Sequence, residues 1–266
     1  MDFSQVKLIV SDMDGTLLNS KGNVSDKFFQ LYQSLEKKGI MFVAASGRQF
    51  YSIKSKLSPI QNDIYVIAEN GGITLKGKEV INTYTLAFDT IKTIIEKVRN
   101  IEATEMVLCA KSKAYIESDN PEFIDFFKEF YTEYEKVEDL LNVPQDEFFK
   151  VAVYHPESSE EYIYPSVKSF EGELQVKISG ENWLDLSSLE THKGNALEKL
   201  QKILGIDRTQ TVVFGDFNND LEMLQLADFS FAMKNAHPNV KAVANYSTKS
   251  NDDEGVETIL EQILNS

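Results

Sequence analysis

Cysteine is almost missing from this chain of 266 residues, which contains only Cys109. A single cysteine excludes an internal disulfide and a metal site made of several thiolates. The first residues, MDFSQVKLIV, lack a basic segment followed by a long apolar stretch. No apolar run approaches the ~20 residues that a membrane-spanning helix needs. The sequence therefore predicts a globular protein of the cytoplasm that has no membrane partner.

Basic residues are also scarce, because 27 lysines and arginines face 42 aspartates and glutamates. The resulting net charge of −15 repels polyanions, and the sequence shows no local basic patch, so nucleic acid is not expected as a partner. At roughly 100–200 residues per domain, the length favours one large domain or two modest ones.

Apolar runs rich in β-branched residues recur along the chain, at residues 6–10, 40–45, 64–68 and 211–214. Their continuity is typical of strands that are buried on both faces of a sheet. Helical patterns separate them, and Ser25 and Gly39 are the candidate N-cap and C-terminal stop of the first helix. The order strand, helix, strand predicts an α/β fold with a Rossmann-like parallel sheet.

The middle of the chain follows a different pattern. It contains a helical stretch at 90–99, an aromatic-rich segment at 121–131, and strand-like pieces around 111–113, 149–154, 175–179 and 183–186. Hairpin signals of this kind indicate an α+β block rather than a continued parallel winding. The sequence thus predicts an α/β core at residues 1–81 and 188–266, with an inserted α+β domain at 82–187.

Polar residues stand where the predicted core strands end. They are, in chain order, Ser11, Asp12, Asp14, Ser46, Glu69, Asn70, Asp216, Asn219 and Asp220. Ligands of open parallel sheets bind beyond the carboxyl ends of the strands. We therefore expect these residues to converge in one crevice.

The first strand end carries two carboxylates, Asp12 and Asp14. In an extended segment their side chains point to one face, and Gly15 allows a sharp turn after them. Such close carboxylates repel each other unless a cation lies nearby, and Mg²⁺ is a hard cation that carboxylates bind. Asp216 and Asp220 can supply further oxygens. An ordinary polar turn is the structural alternative for the first segment taken alone.

The nucleophile is predicted by elimination. Cys109 and His155 belong to the inserted domain, and neither His192 nor His237 has an obvious serine partner at a strand end. We expect the three histidines to be exposed or to cap helices. The remaining nucleophile is a carboxylate, which can accept a phosphoryl group as an acyl phosphate.

Two further positions suit an anion. Ser46 and Gly47 precede a predicted helix at 48–57, where a hydroxyl and free backbone N–H groups form an anion site. Lys193 opens another predicted helix, where the macrodipole disfavours a cation unless a phosphate lies beside it. Helix capping and a solvated surface lysine are the structural alternatives.

Four segments resemble the motifs of the haloacid dehalogenase superfamily. They are DMDGT at 12–16, SGR at 46–48, KG at 193–194 and GDFNND at 215–220. The large insertion, together with ENGG at 69–72 and SNDDEG at 250–255, is similar to the Cof-type phosphatases with a C2B cap. The resemblance implies a Rossmann-like core with an inserted cap at 82–187.

The resemblance also implies catalytic and metal-binding roles. By position, Asp12 is the nucleophile and a Mg²⁺ ligand. Asp14 protonates the leaving group, later activates water, and binds Mg²⁺ through its main-chain carbonyl. Asp216 is a direct metal ligand, whereas Asp220 acts mainly through a metal-bound water.

By the same resemblance, Ser46, Lys193 and Asn219 hold the phosphate, and Gly47 adds a backbone N–H. One departure is Lys234, which stands where relatives usually have glycine, before Asn235. We expect it to add a positive charge near the substrate entrance.

The expected function is that of a Mg²⁺-dependent phosphohydrolase, which acts on small phosphorylated metabolites such as sugar phosphates or phosphorylated cofactors through an aspartyl-phosphate. A phosphomutase of the same chemistry is an alternative. A receiver-like signalling module, which also has strand-end aspartates, Mg²⁺ and a lysine, is a second alternative from a different class. In the inserted domain Tyr115, Glu117, His155 and Trp183 are expected to be packing or surface residues.

Overall fold

The computed structural model describes residues 1–266, and the chain divides into two compact units. Unit 1 comprises Met1–Asn82 and His192–Ser266, and unit 2 comprises Thr83–Thr191. None of the helices combines the length and the apolar character that crossing a bilayer requires.

The first segment of unit 1 alternates strands and helices before it ends in a hairpin. Its elements are β1 (Leu8–Asp12), α1 (Asp26–Lys37), β2 (Met41–Ala45), α2 (Phe50–Lys56), β3 (Tyr65–Ala68), β4 (Ile73–Lys76) and β5 (Glu79–Thr83), the last residue of which is the first of unit 2. As expected, the hydroxyl of Ser25 caps α1 by accepting from the Phe28 N–H at 3.0 Å. Gly39 follows the helix with a φ of 75°. The β4–β5 hairpin was not predicted from the sequence.

Unit 2 is an α+β structure. Its elements are α3 (Phe88–Val98), β6 (Glu105–Ala110), β7 (Ala114–Ile116), α4 (Pro121–Phe127), β8 (Tyr134–Lys136), β9 (Phe148–Tyr154), α5 (Tyr164–Val167), β10 (Leu174–Ile178) and β11 (Trp183–Ser188). They form a six-stranded sheet in the order β10-β11-β9-β6-β7-β8, antiparallel except for β7 with β8. The identification of this unit as a cap stays a prediction.

The side chains of unit 2 that were singled out in the sequence are engaged in packing and ion pairs. Tyr115 is buried in the core beneath α3, and Trp183 packs among phenylalanine rings. Glu117 pairs with Arg99 at 2.6 Å, and the ring of His155 stacks on that of Tyr162. These contacts agree with the expectation that the four residues have packing or surface roles.

The second segment of unit 1 resumes the alternation. Its elements are α6 (Lys193–Leu204), β12 (Thr211–Gly215), α7 (Leu221–Leu224), β13 (Phe229–Ala232), α8 (Pro238–Val243), β14 (Tyr246–Ser247) and α9 (Gly255–Leu264). The sheet of unit 1 has the order β14-β13-β12-β1-β2-β3-β4-β5. It is parallel from β14 to β3 and antiparallel from β3 to β4. The predicted α/β fold with a parallel-sheet core is confirmed.

The register of the sheet determines where the site lies. Asp12 pairs with Ala45 at the end of β2, and Gly215 pairs with Ala232 at the end of β13. The carboxyl ends of four neighbouring strands are therefore at nearly one level. Side chains that follow these strands meet there, although up to about 200 residues of chain separate them.

Two of the three histidines, His192 and His237, cap helices. The Nδ1 atoms of His192 and His237 accept N–H bonds from Asn195 at 3.1 Å and Asn239 at 3.2 Å, at the starts of α6 and α8. The Nδ1 atom of His155 accepts from the Glu157 N–H at 3.2 Å. His192 and His237 agree with the expectation of exposed or helix-capping residues. For His155 that expectation was wrong, because its side chain is buried and the helix that follows is capped by Ser158.

Candidate active site

Three carboxylates meet at the carboxyl edge of the unit 1 sheet. Asp12 ends β1, Asp216 directly follows β12, and Asp220 lies four residues further on. One oxygen from each lies within 4.8 Å of the others, and the side chains of Asp12 and Asp220 are buried. The predicted convergence of these strand ends is present.

Lys193 lies among these carboxylates. Its side chain is fully buried, and its Nζ is 2.5 Å from Asp12 Oδ1 and 2.7 Å from Asp220 Oδ1. The expectation that only a phosphate could relieve the cation at this helix start was wrong, because two carboxylates of the protein balance it. The alternative of a solvated surface lysine was also wrong.

The electrostatics of the cluster follow from burial and close charge. Burial lowers the pKa of Lys193, but Asp12 and Asp220 outweigh that effect, so its pKa lies above the ordinary value and the side chain is charged. Burial also raises the pKa of Asp12, and the neighbouring carboxylates add to the rise while Lys193 opposes it. Burial is the largest cause that raises the pKa of Asp216 to about 6, and the negative charge of Asp220 is the next, although a hydrogen bond from Thr16 opposes the rise.

The cluster fits a divalent cation. Three carboxylates and one ammonium group leave two negative charges when all are ionised, which is the charge that one divalent cation balances. The donors are all oxygens, the ligand type that Mg²⁺ prefers. Asp12, Asp216 and Asp220 are therefore the side chains that could hold such an ion.

Asp220 is held by several contacts at once. Its Oδ2 accepts backbone N–H bonds from Asp216 at 2.9 Å and Phe217 at 3.2 Å, while its Oδ1 accepts from Lys193. These contacts fix the loop that carries Asp216. Asp220 thus orients both a neighbouring carboxylate and the buried cation.

Asp14 lies apart from the cluster, and its carboxylate pairs with Arg48. Arg48 Nε is 2.7 Å from Asp14 Oδ2, and Arg48 Nη2 is 2.7 Å from Asp14 Oδ1. The expectation that the carboxylates of Asp12 and Asp14 form a pair around a shared cation was wrong, because Asp14 is not among the three carboxylates that lie close enough to share one ion. The chain turns after Asp12, where the Met13 carbonyl accepts the N–H of Leu18 at 2.7 Å, so the two-residue period of a strand does not continue.

The turn after Asp14 requires glycine. Gly15 has a φ of 76°, and a Cβ at this position would lie 2.3 Å from Asp216 Oδ2. A side chain there would displace the carboxylate. The first and fourth motifs therefore contact each other through a residue that has no side chain.

Ser46 and Gly47, two of the predicted phosphate-binding residues, lie in a loop rather than at a helix start. Ser46 is buried, and its hydroxyl accepts from the Arg48 N–H at 3.1 Å. Gln49 is extended, so α2 begins at Phe50, and the predicted start at Arg48 was wrong by two residues. The Nδ2 of Asn219 donates to Asn70 Oδ1 at 3.0 Å. The phosphate-binding roles of these residues stay a prediction.

Two contributors were missed in the sequence. Arg48 was quoted only as part of a motif, and its contact with Asp14 joins residues 34 positions apart, which no local pattern reveals. Asn70 was noted at a strand end without a role. Asn235, in contrast, donates to the Gly15 carbonyl at 2.8 Å while Lys234 is exposed, so the lysine does not displace it.

Comparison with known proteins gives a consistent result. The family model described as haloacid dehalogenase-like hydrolase matches residues 9–260. The chain is 36% identical over 263 residues to the 5-amino-6-(5-phospho-D-ribitylamino)uracil phosphatase YbjI of Escherichia coli K12, covering 97% of this chain and 96% of that protein. It is 28% identical to the phosphatase YwpJ of Bacillus subtilis 168, covering 97% and 100%.

Solved structures agree with these relatives. SMU.1108c from Streptococcus mutans UA159 is 30% identical and superposes with a TM-score of 0.89, covering 98% of this chain and all of that one. The subclass IIB sugar phosphatase BT4131 has the same fold, with 22% identity, a TM-score of 0.81, and coverage of 97% and 98%.

Proposed function

The chain belongs to the haloacid dehalogenase-like hydrolase family and is a phosphatase, and from this premise we propose that it hydrolyses small phosphorylated metabolites with Mg²⁺ and a phosphoryl group carried on Asp12. The observation that supports the proposal most directly is the buried group of three carboxylates with Lys193. Unit 2 is proposed to be the cap, and substrate selection is assigned to it.

Asp12 suits the role of nucleophile. Lys193 holds its Oδ1, which leaves Oδ2 to attack phosphorus. A P–O bond to Asp12 forms as the ester P–O bond breaks, and the departing oxygen takes a proton from Asp14. Water then attacks the acyl phosphate, Asp14 takes a proton from that water, and phosphate leaves while Asp12 is regenerated.

The metal ligands proposed for this site are the Asp12 and Asp216 carboxylates and the Asp14 main-chain carbonyl, with Asp220 acting through water. When bound, Mg²⁺ would offset the negative charge of the phosphoryl oxygens and of the carboxylates around them. Ser46, Gly47, Asn219 and Lys193 are proposed to bind the phosphoryl oxygens from the protein side.

The substrate class follows from the curated relatives. YbjI is named for the hydrolysis of a phosphate ester on a ribityl chain that is attached to a pyrimidine. We propose that this chain also takes phosphomonoesters of sugars or sugar alcohols, free or attached to a small heterocycle. Such substrates are small, and their single phosphate suits the single cluster of carboxylates.

The test is phosphate release from a panel of sugar, sugar-alcohol and cofactor phosphates, with Mg²⁺ and with EDTA. Release that requires Mg²⁺ and is lost in Asp12→Asn supports the proposal. Full release in EDTA, after metal removal is verified, would contradict the metal assignment. Isomerised phosphate ester without free phosphate would support the phosphomutase alternative, and a stable phosphoprotein without turnover would support the signalling module.

A further inference from the structure

The turn that follows β3 has an unusual backbone. Glu69 and Asn70 are consecutive non-glycine residues with φ values of 52° and 54°, in the left-handed region. Such conformations are costly for residues with side chains and persist where the surroundings demand them. The hydrogen bonds of this turn identify the surroundings that hold it in this conformation.

Backbone hydrogen bonds attach the turn to the Ser46–Arg48 loop. The Asn70 N–H donates to the Ser46 carbonyl at 3.0 Å, and the Glu69 N–H donates to the Arg48 carbonyl at 3.1 Å. The side-chain amide of Asn70 lies against Gly47, where an added Cβ would be only 3.1 Å from Nδ2. The turn therefore bonds the loop on both sides of Gly47, through Asn70 on one side and Glu69 on the other, and the Asn70 side chain lies against the glycine itself.

The same side chain reaches the fourth motif. Asn70 Oδ1 accepts one hydrogen of the Asn219 amide at 3.0 Å. An amide nitrogen has two hydrogens, so this bond fixes the Asn219 side chain and leaves its second hydrogen for another acceptor. Asn70 thereby connects the turn after β3 to the fourth motif, and the two bonded residues are 149 positions apart in the sequence.

We propose that Asn70 is a positioning residue for the phosphoryl group, which aims the free amide hydrogen of Asn219 and the Gly47 N–H at the same phosphate oxygens. This inference rests on the proposed function, since it assumes that Asn219 and Gly47 bind phosphate. The left-handed backbone places the Asn70 amide between them. Asn70 itself does not touch the reacting atoms.

The main test is a double-mutant cycle with Asn70→Gly and Asn219→Ala, measured as kcat/KM for p-nitrophenyl phosphate with Mg²⁺ and as inhibition by inorganic phosphate. Glycine accepts the left-handed backbone without strain, which offsets the lost hydrogen bond and the greater freedom of the unfolded chain, so Asn70→Gly is expected to melt close to the parental temperature. It should nevertheless lose about tenfold or more in kcat/KM, because small misplacements of catalytic groups are costly. In the Asn219→Ala background the further loss should be smaller than in the parent, because only the contact with Gly47 remains to be removed.

Ala103→Gly is the matched control. Ala103 is exposed in unit 2 with a φ of 55°, so this change also replaces a left-handed residue by glycine but leaves the Ser46–Arg48 loop untouched. Its kcat/KM should equal that of the parent. Parental kcat/KM and phosphate inhibition in Asn70→Gly, or a loss that adds fully to that of Asn219→Ala, would overturn the inference.

A second variant covers the case in which Asn70→Gly does not fold. Asn70→Asp keeps the acceptor oxygen and tolerates a left-handed backbone, but its charge repels phosphate. Repulsion that is equal in ground and transition states raises KM and leaves kcat near the parental value. A fall in kcat as large as the rise in KM would overturn the positioning role. Absence of any phosphate release by the parent would instead contradict the proposed function.

Discussion

Both carboxylate oxygens of Asp14 accept hydrogen bonds from one guanidinium group, that of Arg48, at 2.7 Å each. Arg48 is itself steadied, since its side chain is only 11% exposed while that of Asp14 is 49% exposed. The arginine thus acts as a fixed support for a carboxylate that remains open to a substrate. A planar fork of donors can hold such a carboxylate in one orientation, whereas an ammonium group cannot.

Arg48→Lys should therefore lower kcat while keeping the charge. We expect a loss of about tenfold with alkyl phosphates, because a misdirected Asp14 protonates their leaving groups poorly. The loss should be smaller with p-nitrophenyl phosphate, which needs little protonation. The measurement is kcat for both substrates at saturating Mg²⁺.

Arg208→Lys provides the control for this change. Arg208 also pairs with an aspartate through Nε, at 2.5 Å from Asp228, but it lies just before β12, at the amino edge of the sheet. Arg208→Lys should leave kcat at the parental value with both substrates. Equal losses with the two substrates in Arg48→Lys would contradict a role through Asp14.

Lys193→Ala is expected to destabilise the protein as well as inactivate it. Phosphate was the only partner that the sequence suggested for this lysine, and with that partner alone the substitution would leave the melting temperature near the parental value. The structure places Asp12 and Asp220 against it in a fully buried site, and removing one partner of such a group costs roughly 3–5 kcal/mol. Urea unfolding in EDTA at pH 8 measures the loss, and Mg²⁺ should restore part of it by binding the freed carboxylates.

Lys202→Ala is the comparison on the same helix, since Lys202 is 70% exposed and pairs only with Glu198. It should change the free energy of unfolding by less than about 0.5 kcal/mol. A Lys193→Ala variant as stable in EDTA as Lys202→Ala would show that the buried ion pairs do not support the fold.

The differences between sequence and structure have a common physical origin. The parallel sheet could be predicted because continuous apolar strands and capped helices are local patterns. Since ligands of such sheets bind beyond the carboxyl ends of the strands, Asp12 and Asp216 could then be predicted to lie close together. The partners of Lys193 and Asp14 could not be predicted, because each pairing joins side chains from distant elements. The predicted start of α2 was wrong for the same reason. The backbone N–H of Arg48 binds Ser46 and its side chain binds Asp14, and these contacts hold Arg48 outside the helix.

The raised pKa of Asp216 gives a pH dependence to the metal-free protein. Because burial raises this pKa to about 6 from an ordinary 3.8, the folded state binds the proton more tightly than the unfolded state does. This contribution to stability is fully present below about pH 4 and is lost as the pH rises to about 6. Asp216→Asn should remove it. In EDTA, the stability of the variant relative to the parent should therefore increase between pH 4.5 and 7, as measured by urea unfolding.

The same proton competes with the metal. Mg²⁺ must displace it, so the apparent Mg²⁺ affinity should rise as the pH increases from 5 to 7 and level off above that. Calorimetric titration in buffers of different ionisation enthalpy would also detect the released proton. An affinity that does not change across this range would show that Asp216 is not a ligand of the ion.

The sharpest prediction concerns the division of labour between Asp12 and Asp14. Asp12 alone is proposed to form a covalent bond, so Asp12→Asn should abolish turnover of every phosphate ester. The effect of Asp14→Asn on turnover should instead depend on the leaving group of the substrate. Alkyl phosphates need a proton for their departing alkoxide and should lose turnover. The nitrophenolate released from p-nitrophenyl phosphate needs little help, so Asp12 can still be phosphorylated.

In Asp14→Asn the second step then becomes slow, because the acyl phosphate lacks the base that activates water. We expect a burst of nitrophenolate comparable to the enzyme concentration, followed by a slow steady state. Phosphate should remain attached to the protein after an acid quench, and peptide mapping should place it on Asp12. Because the Asp14 carboxylate lies outside the three-carboxylate cluster and only its main-chain carbonyl is a proposed ligand, the variant should keep its Mg²⁺ affinity. A folded, Mg²⁺-binding Asp14→Asn variant that shows neither a burst nor a selective loss with alkyl phosphates would remove Asp14 from the proton transfers.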